Sequence, residues 1–506
     1  MVTIVNSAVN SGMDIQKVVI EIDLSGGIPD FRIVGIPDGA VRESKERVRS
    51  AIKNSGFDFP IRKIIVNLAP ANLRKEGASY DLPIAIGILK ATGQILDVRG
   101  DFDKHIFLGE LGLDGKLRGV KGVLPVALNF SQEGYSFIVP GVNAKEVSLT
   151  GIDCPKVGSL KEAVDYFNNN RDIIFEPPDN FNLEKGNLSK EITNYDFSQV
   201  KGQAFAKRAI EVAVAGGHNI LIKGSPGTGK SMLAKCIPGI LPDLEMNEML
   251  EITKIYSIAG ELDENNPVIK KPPFRSPHHS SSVPGVIGGG TFPRPGEVSL
   301  SHFGVLFLDE ISEYQRPVLE SLREPLEEKE VTISRISGKV KYPADFILMA
   351  SMNPCPCGYY GSIRKQCTCT ESKIKQYNNK LSGPLLDRID IIVSSQDVEF
   401  EELREEAISE KSSVVKARIC KAREIQKKRY FNDKRKINGG MSKEDINIHC
   451  VLDSQGELML KKAYSFLNLS ARAYDKILKV ARTIADLKGN KYITSDDLGE
   501  AIQYRN

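Results

Sequence analysis

Hydrophobic and polar positions fall into two periods along this chain, and the switches between them mark its elements. Near the N-terminus "VRESKERVRSAI" reads as a helix, "RKIIVNLAP" as a strand entering a turn, and "DLPIAIGILKATGQI" as a mostly apolar helix. Further on, three short apolar runs read as buried strands: Ile220 to Ile222, Val305 to Leu308, and the run in "ADFILMASMN" that ends at Asn353. "EVTISRISGKVKYPADF" alternates instead, with Val331 and Ile333, turn residues around Ser337-Gly338, then Val340, which predicts a β-hairpin. Helical spacing returns in "NLSARAYDKILKVARTIADL", where Ser470 is placed to cap and Ile477, Val480, Ala481, Ile484 and Leu487 share a face. A second C-terminal helix, "SSVVKARICKAREIQKKRYFNDKRK", keeps Val415, Ile419, Ala422 and Ile425 on one side.

A length of 506 residues exceeds one ordinary core and suggests roughly three domains. Its 41% hydrophobic and 26% charged residues are those of a globular protein. The 68 lysines and arginines nearly balance the 65 acidic residues, so any nucleic-acid surface has to come from clustering. The first residues, "MVTIVNSAVNSGMDIQ", do not read as a signal peptide, and no apolar run is long enough to span a membrane. Four of the eight cysteines are scattered singly, which excludes a disulfide framework and points to the cytoplasm. The polar stretch with Pro177-Pro178 reads as a linker over 171–195, between a front domain of 1–170 and the rest of the chain.

The chemistry begins at "HNILIKGSPGTGKSMLAKCI". Gly224, Ser225, Pro226, Gly227, Thr228, Gly229, Lys230 and Ser231 fit G-x-x-x-x-G-K-[ST] between a strand and a helix. Glycines in that order let backbone N–H groups turn inward around phosphate oxygens, and the helix N-terminus adds positive potential. Lys230 is then placed for the β- and γ-phosphates of ATP and the Ser231 hydroxyl for Mg²⁺. In "GVLFLDE" a buried strand ends in Asp309, fit to hold the Mg²⁺ shell, and Glu310, fit to orient and deprotonate the attacking water.

With "LSGPLLDRIDI" following the third strand, these segments resemble the AAA+ ATPases in their magnesium-chelatase-like branch. The resemblance implies an α/β multidomain chain. Its parts would be a P-loop AAA+ parallel-sheet module over 196–395 and a C-terminal helical lid over 396–506. It also implies that Asn353 is the first sensor, Arg388 an arginine finger reaching a neighbour's nucleotide, and Arg472 the second sensor on the lid. A salt bridge of Arg388 with Asp387 or Asp390, and an ordinary solvated helix position for Arg472, are the plain alternatives. A finger acting in trans implies a homo-oligomeric ring. The front domain resembles the Lon-protease-like (ribosomal S5 domain 2-like) α+β domain of the ComM (also called YifB) group, so the likeness covers essentially the whole chain. In "KEGASYDLPIAIG" Ile84 follows Pro83 where the proteases carry their nucleophile, which implies the fold without proteolysis, although Ser79 and Lys75 lie close by.

Between Asn353 and the finger segment, Cys355, Cys357, Cys367 and Cys369 form two Cys-x-Cys pairs across nine residues, an insert spanning 355–369. Four thiolates so spaced can surround one tetrahedral Zn²⁺ in a structural role; free thiols or a redox-sensitive pair are the alternatives. His278 and His279, in a loop of serines and glycines, are adjacent with no evident third ligand. The predicted hairpin carries Arg335, Lys339 and Lys341, which would either grip a phosphate backbone or decorate an ordinary solvated hairpin. The ten basic residues from Lys416 to Lys436 pose the same choice between a solvated lid face and a nucleic-acid or subunit surface. Resemblance to the ComM group implies a hexameric, DNA-binding branch-migration helicase acting in DNA recombination and natural transformation. The alternative is a chelatase- or MoxR-like protein-remodelling ATPase.

Overall fold

The computed structural model describes residues 2–75, 77–169, 173–179, 195–263, 266–290, 293–335, 338–362, 365–396, 410–431, 433, 436–467 and 469–505. Most of the expected linker, and the side chain of Arg335, lie outside the described residues.

The front of the chain folds around a six-stranded mixed sheet. Its order is Asp30–Val34, Lys63–Ala69, Asp14–Ser25, Thr3–Ser11, His105–Phe107 and Ser136–Ile138. Strand Asp14–Ser25 shows why one face is covered: Val18, Ile20 and Ile22 are fully buried while alternate residues are not, the two-residue period of a half-buried strand. Helices Gly39–Asn54 and Asp81–Ala91 pack in the core with that face. The first is capped by Asp38, which accepts from the Val41 N–H at 2.7 Å. The second is nearly all apolar and nearly all buried, so its one buried charge, Asp81, is compensated. Arg47 Nε donates to it at 2.7 Å and the Ser44 hydroxyl also bonds to it.

The middle of the chain forms a five-stranded sheet with every pair parallel. Its order is Phe274–Arg275, Val305–Leu308, Ile347–Met352, Ile220–Lys223 and Ile391–Ser394. All three predicted strands are present, the third ending one residue before Asn353. Leu221 belongs to one apolar cluster, with Leu306, Leu348 and Ala350. Its neighbours Ile220 and Ile222 belong to the cluster on the opposite face, with Met349 and Ile391. A strand covered on both faces has no polar side to alternate with, which is why these runs are continuously apolar.

The C-terminal helices Ser412–Arg429, Lys443–His449, Ser454–Phe466, Ala471–Lys488 and Ser495–Gln503 join the same core as Ile220 and Ile222. Ser470 caps its helix as expected, accepting from the Ala473 N–H at 3.2 Å. Several basic residues of Ser412–Arg429 are paired with acids or carbonyls, while Lys421, Lys427 and Lys428 stay exposed. Lys416 meets Asp243 at 2.6 Å, Arg418 meets Glu211 at 2.6 Å and Glu410 at 2.7 Å, and Arg429 meets Asp486 at 2.5 Å. Arg423 donates to the Val214 carbonyl at 2.7 Å, and burial pushes its pKa down to about 10.

The predicted hairpin forms from Glu330–Arg335 and Gly338–Pro343, but its apolar face does not stand free. Val331, Ile333, Val340 and Tyr342 are buried, and a Cβ placed on Gly12 would lie 2.3 Å from Val340 Cγ1. The four side chains join the apolar cluster of the parallel-sheet module, and Val340 also abuts the front domain at Gly12. The two parts also meet where helix Val123–Ser131 lies along Met246–Ala259. There the Gly122 N–H donates to the Ser257 carbonyl at 3.0 Å and the Ser257 hydroxyl donates to the buried Glu146 at 2.6 Å.

Candidate functional site

The parallel sheet puts two sets of residues at its two ends. At the C-terminal ends of three adjacent strands stand the loop 224–231, Asp309–Glu310 and Asn353. Gly227 and Gly229 take φ of +81° and +86°, and nothing lies within 4 Å of where their Cβ atoms would be, so the loop keeps the tight left-handed turns a phosphate cradle needs. Lys230 donates to the carbonyls of Gly224 at 2.6 Å and Ser225 at 2.8 Å, and to Asn353 Oδ1 at 3.3 Å. Burial lowers its pKa, while Asp309 and Glu310 act in the opposite sense. The Ser231 hydroxyl donates to Asp309 Oδ2 at 2.8 Å, so the two oxygen donors expected for Mg²⁺ stand side by side. That pairing fits the ion, which prefers hard oxygen ligands and few protein groups.

One residue the sequence reading passed over completes this end. Ser351, fully buried in strand Ile347–Met352, accepts from the Glu310 N–H at 2.9 Å and donates to Asp309 Oδ1 at 2.5 Å. Glu310 has φ of +50°, a conformation an L-residue holds only when its surroundings impose it, and leaves its side chain exposed. The only sequence signal was a hydroxyl interrupting an otherwise apolar run. Nearby, Thr228 and Ser395 share a hydroxyl hydrogen bond at 2.7 Å, and Gln203 Nε2 donates to the Thr228 carbonyl at 3.2 Å. These contacts fasten the loop to Gln203, just before helix Ala204–Gly216, and to Ser395, just after strand Ile391–Ser394.

The opposite end of the sheet carries the arginines. Asn219, which enters the P-loop strand, donates through Nδ2 to the Arg388 carbonyl at 2.9 Å. Arg388 Nε donates to the Arg323 carbonyl at 3.1 Å and Nη1 to the Pro384 carbonyl at 2.6 Å, while Nη2 pairs with Glu327 rather than with Asp387 or Asp390. Arg472 is 61% exposed and reaches the other oxygen of Glu327 at 3.9 Å. Both arginines line a cavity of about 470 Å³ shared with Lys476, Lys479 and Asp390. A four-residue strand is about 13 Å long, so Arg388 and Arg472 are brought together, one strand length from the phosphate loop of their own chain. Beneath them Lys476 meets Asp390 at 2.9 Å, and the Asn219 N–H donates to Asp390 at 3.1 Å. Burial alone would raise the Asp390 pKa, but Lys476 and the adjacent His218 hold it well below the usual carboxylate range.

The cysteines also converge. Cys355 Sγ lies 3.3 Å from Cys357 and 3.7 Å from Cys367, and one sulfur from each of the four residues falls within 4.8 Å of the others. Backbone N–H groups of Tyr360 and Cys369 donate to Cys355 and Cys367 at 3.3 and 3.4 Å. Among the described residues this is the one His/Cys/Asp/Glu cluster arranged to hold a metal ion. The rings of His278 and His279 lie tilted by 36° with centroids 4.0 Å apart, and both residues are exposed. On the hairpin Lys339 is exposed, and Lys341 pairs with Glu330. In the front domain Ile84 is fully buried, and Lys75, equally buried, donates to the Pro70 carbonyl. The carbonyl of half-buried Ser79 accepts from the Gly109 N–H at 2.9 Å.

Comparison with known families covers nearly the same ground as these parts. Residues 196–403 match the family model described as magnesium chelatase, subunit ChlI; residues 20–143 match subunit ChlI of Mg-chelatase; residues 409–505 match the ChlI C-terminal model. Competence protein ComM of Haemophilus influenzae is 42% identical over 99% of this chain and 97% of its own length. YifB of Escherichia coli is 40% identical over 99% of this chain and 97% of its own. A magnesium-chelatase subunit ChlI homolog of Methanocaldococcus jannaschii is 24% identical over 61% of this chain and 83% of its own length.

Proposed function

The chain belongs to the magnesium-chelatase-like AAA+ family that includes ComM and YifB, and from that premise we propose that it is an ATP-hydrolysing ring motor whose active sites form between subunits. The observation that carries this reading is the placement of phosphate-binding and arginine residues at opposite ends of one short strand. A single chain holds half of each site, and a second copy in head-to-tail contact supplies the other half.

Within one such site Lys230 and the N–H groups of 224–231 hold the β- and γ-phosphates of ATP. Ser231 and Asp309 would hold a Mg²⁺ ion, which when bound neutralises charge on the phosphate oxygens. Glu310, held by Ser351, orients a water in line with the terminal phosphate and takes its proton. Asn353 polarises the same water, and Arg388 and Arg472 from the neighbour meet charge developing on the transferred group. Lys230→Ala and Arg388→Ala each lose ATPase activity alone. Mixed, they recover part of it if the sites are shared, because some interfaces pair an intact loop with an intact arginine; no recovery at any mixing ratio would sink the shared site.

The same reading extends to a hexameric, cytoplasmic, DNA-binding branch-migration helicase of the ComM type, active in DNA recombination and natural transformation. Support comes from 42% identity with the competence protein over nearly the full length, from exposed Lys339 on the hairpin, and from exposed Tyr360 on the cysteine loop. Among the described residues no helix is long and apolar enough to cross a membrane. The cysteine cluster is read as a closed structural Zn²⁺ site, and the front domain, with Ile84 buried, as a non-proteolytic scaffold. ATPase assays with single-stranded, duplex and branched DNA test the substrate. Stimulation supports the helicase; no response, together with a co-purifying protein partner, moves the reading to a protein-remodelling ATPase.

A further inference from the structure

The cysteine cluster touches the nucleotide loop. It begins two residues after Asn353, whose Oδ1 accepts from Lys230 at 3.3 Å, so the first ligand pair continues directly from the residue that faces the loop lysine. Cys355 closes a tight turn, its carbonyl accepting from the Gly358 N–H at 2.9 Å. In that turn Gly358 has φ of +86°, and a Cβ there would stand 2.6 Å from Cδ and 2.7 Å from Cγ of Pro226, the third residue of the phosphate loop. Only a glycine allows this approach, because a methyl at that distance forces the proline or the turn to move. The cluster is thus joined to the nucleotide site at two points, through the chain to Asn353 and by contact to Pro226.

Four sulfurs drawn within 4.8 Å, two of them accepting backbone N–H groups, form a preset donor cage for a soft or borderline divalent cation. We propose that Zn²⁺ in this cage clamps the phosphate loop. The metal fixes the turn that seats Gly358 on Pro226 and anchors Asn353, so that nucleotide affinity depends on metal loading. This rests on the zinc reading given above. Because two ligands of one protein are coupled reciprocally, nucleotide must raise zinc affinity by the factor by which zinc raises nucleotide affinity.

The test uses the full chain, purified without chelator, with zinc measured by elemental analysis and nucleotide binding by titration with a fluorescent ATP analogue. Stripping zinc is expected to weaken nucleotide binding about fivefold or more, re-adding Zn²⁺ to restore it, and saturating nucleotide to slow zinc loss to a chelator. Gly358→Ala keeps all four thiols. It should retain stoichiometric zinc yet bind nucleotide more weakly, and unchanged affinity in this variant overturns the clamp even if the stripped protein unfolds. Absence of zinc from the purified protein overturns both the metal site and the clamp. Zinc present, with Gly358→Ala binding nucleotide as tightly as the parent, or with a folded stripped protein of unchanged affinity, overturns the clamp alone.

Discussion

Replacing Ser351 by alanine tests whether the acidic pair is a built device or merely two carboxylates at a strand end. The substitution removes one hydroxyl from a fully buried position and two hydrogen bonds with it: the one from the Glu310 N–H at 2.9 Å and the one to Asp309 Oδ1 at 2.5 Å. The first is a neutral bond worth about 0.5 to 1.5 kcal/mol net, and the second, to a charged acceptor, about 1.5 to 3 kcal/mol. Water entering the gap recovers part of the sum, leaving about 1.4 to 2.7 kcal/mol at the transition state, which is about tenfold to a hundredfold in kcat. The loss should appear in kcat because Glu310, freed to leave φ of +50°, no longer points at the water. Nucleotide affinity should change little, since the hydrogen bonds of Lys230 run to Gly224, Ser225 and Asn353 and not to Ser351. Steady-state ATPase kinetics beside fluorescent-nucleotide titration reads both. A kcat within twofold of the parent would refute the positioning role, and a loss of affinity matching the loss of kcat would show instead that the strand end had been disturbed.

Glu310→Gln should bind nucleotide and turn over at a small fraction of the parent rate; normal turnover would remove Glu310 as the base. Glu327→Gln releases Arg388 and Arg472 from their shared carboxylate, so less protein should be needed for half-maximal ATPase, about threefold to tenfold less for a half-exposed pair. A lower turnover with no such shift would show that Glu327 positions the finger instead. Asp390→Asn leaves the mostly buried Lys476 without its carboxylate and should cost about 3 kcal/mol of unfolding free energy at neutral pH. Because the folded-state pKa of Asp390 is depressed, its contribution is complete above the unfolded value of about 4 and is lost as pH falls toward the lower folded value. The parent should therefore lose this part of its stability in acid while the variant has none to lose, and equal acid dependence in a denaturant titration would contradict the assignment. Lys339→Glu should weaken DNA binding and reduce the slope of log affinity against log salt by about 1; an unchanged slope excludes that lysine from the phosphate contacts.

The phosphate loop and the strand ending in Asp309 and Glu310 were legible because their chemistry is local. A turn that cradles phosphate needs its glycines, lysine and serine in consecutive positions, and a strand buried on both faces has to be continuously apolar. The lid helix was legible for a similar reason, with Ser470 capping and Ile477, Val480, Ala481 and Ile484 buried together. Ser351 was not, since a serine in an apolar run carries no mark of the backbone N–H it will meet from a strand 41 residues away. The basic stretch from Lys416 was legible only in part: charge counts along a helix do not reveal that Asp243, Glu211, Glu410 and Asp486 come to meet Lys416, Arg418 and Arg429 while Lys421 and Lys428 stay exposed.

By itself the sequence determined the loop 224–231 and the acidic strand end, for the order of residues in a loop or at a strand end is set by covalent neighbours and fixed helix and strand periods. Tertiary structure alone decided where those groups stand. It put Arg472 beside Arg388 on one carboxylate, a strand length from the loop of their own chain, and packed the hairpin's apolar face into the core of the parallel-sheet module with Val340 against Gly12 of the front domain. It also drew four cysteines together, with Gly358 of the turn between them set against Pro226. Contacts of that kind join residues far apart in the chain, and they depend on which buried faces and opposite charges find each other during folding, a condition no local spacing encodes.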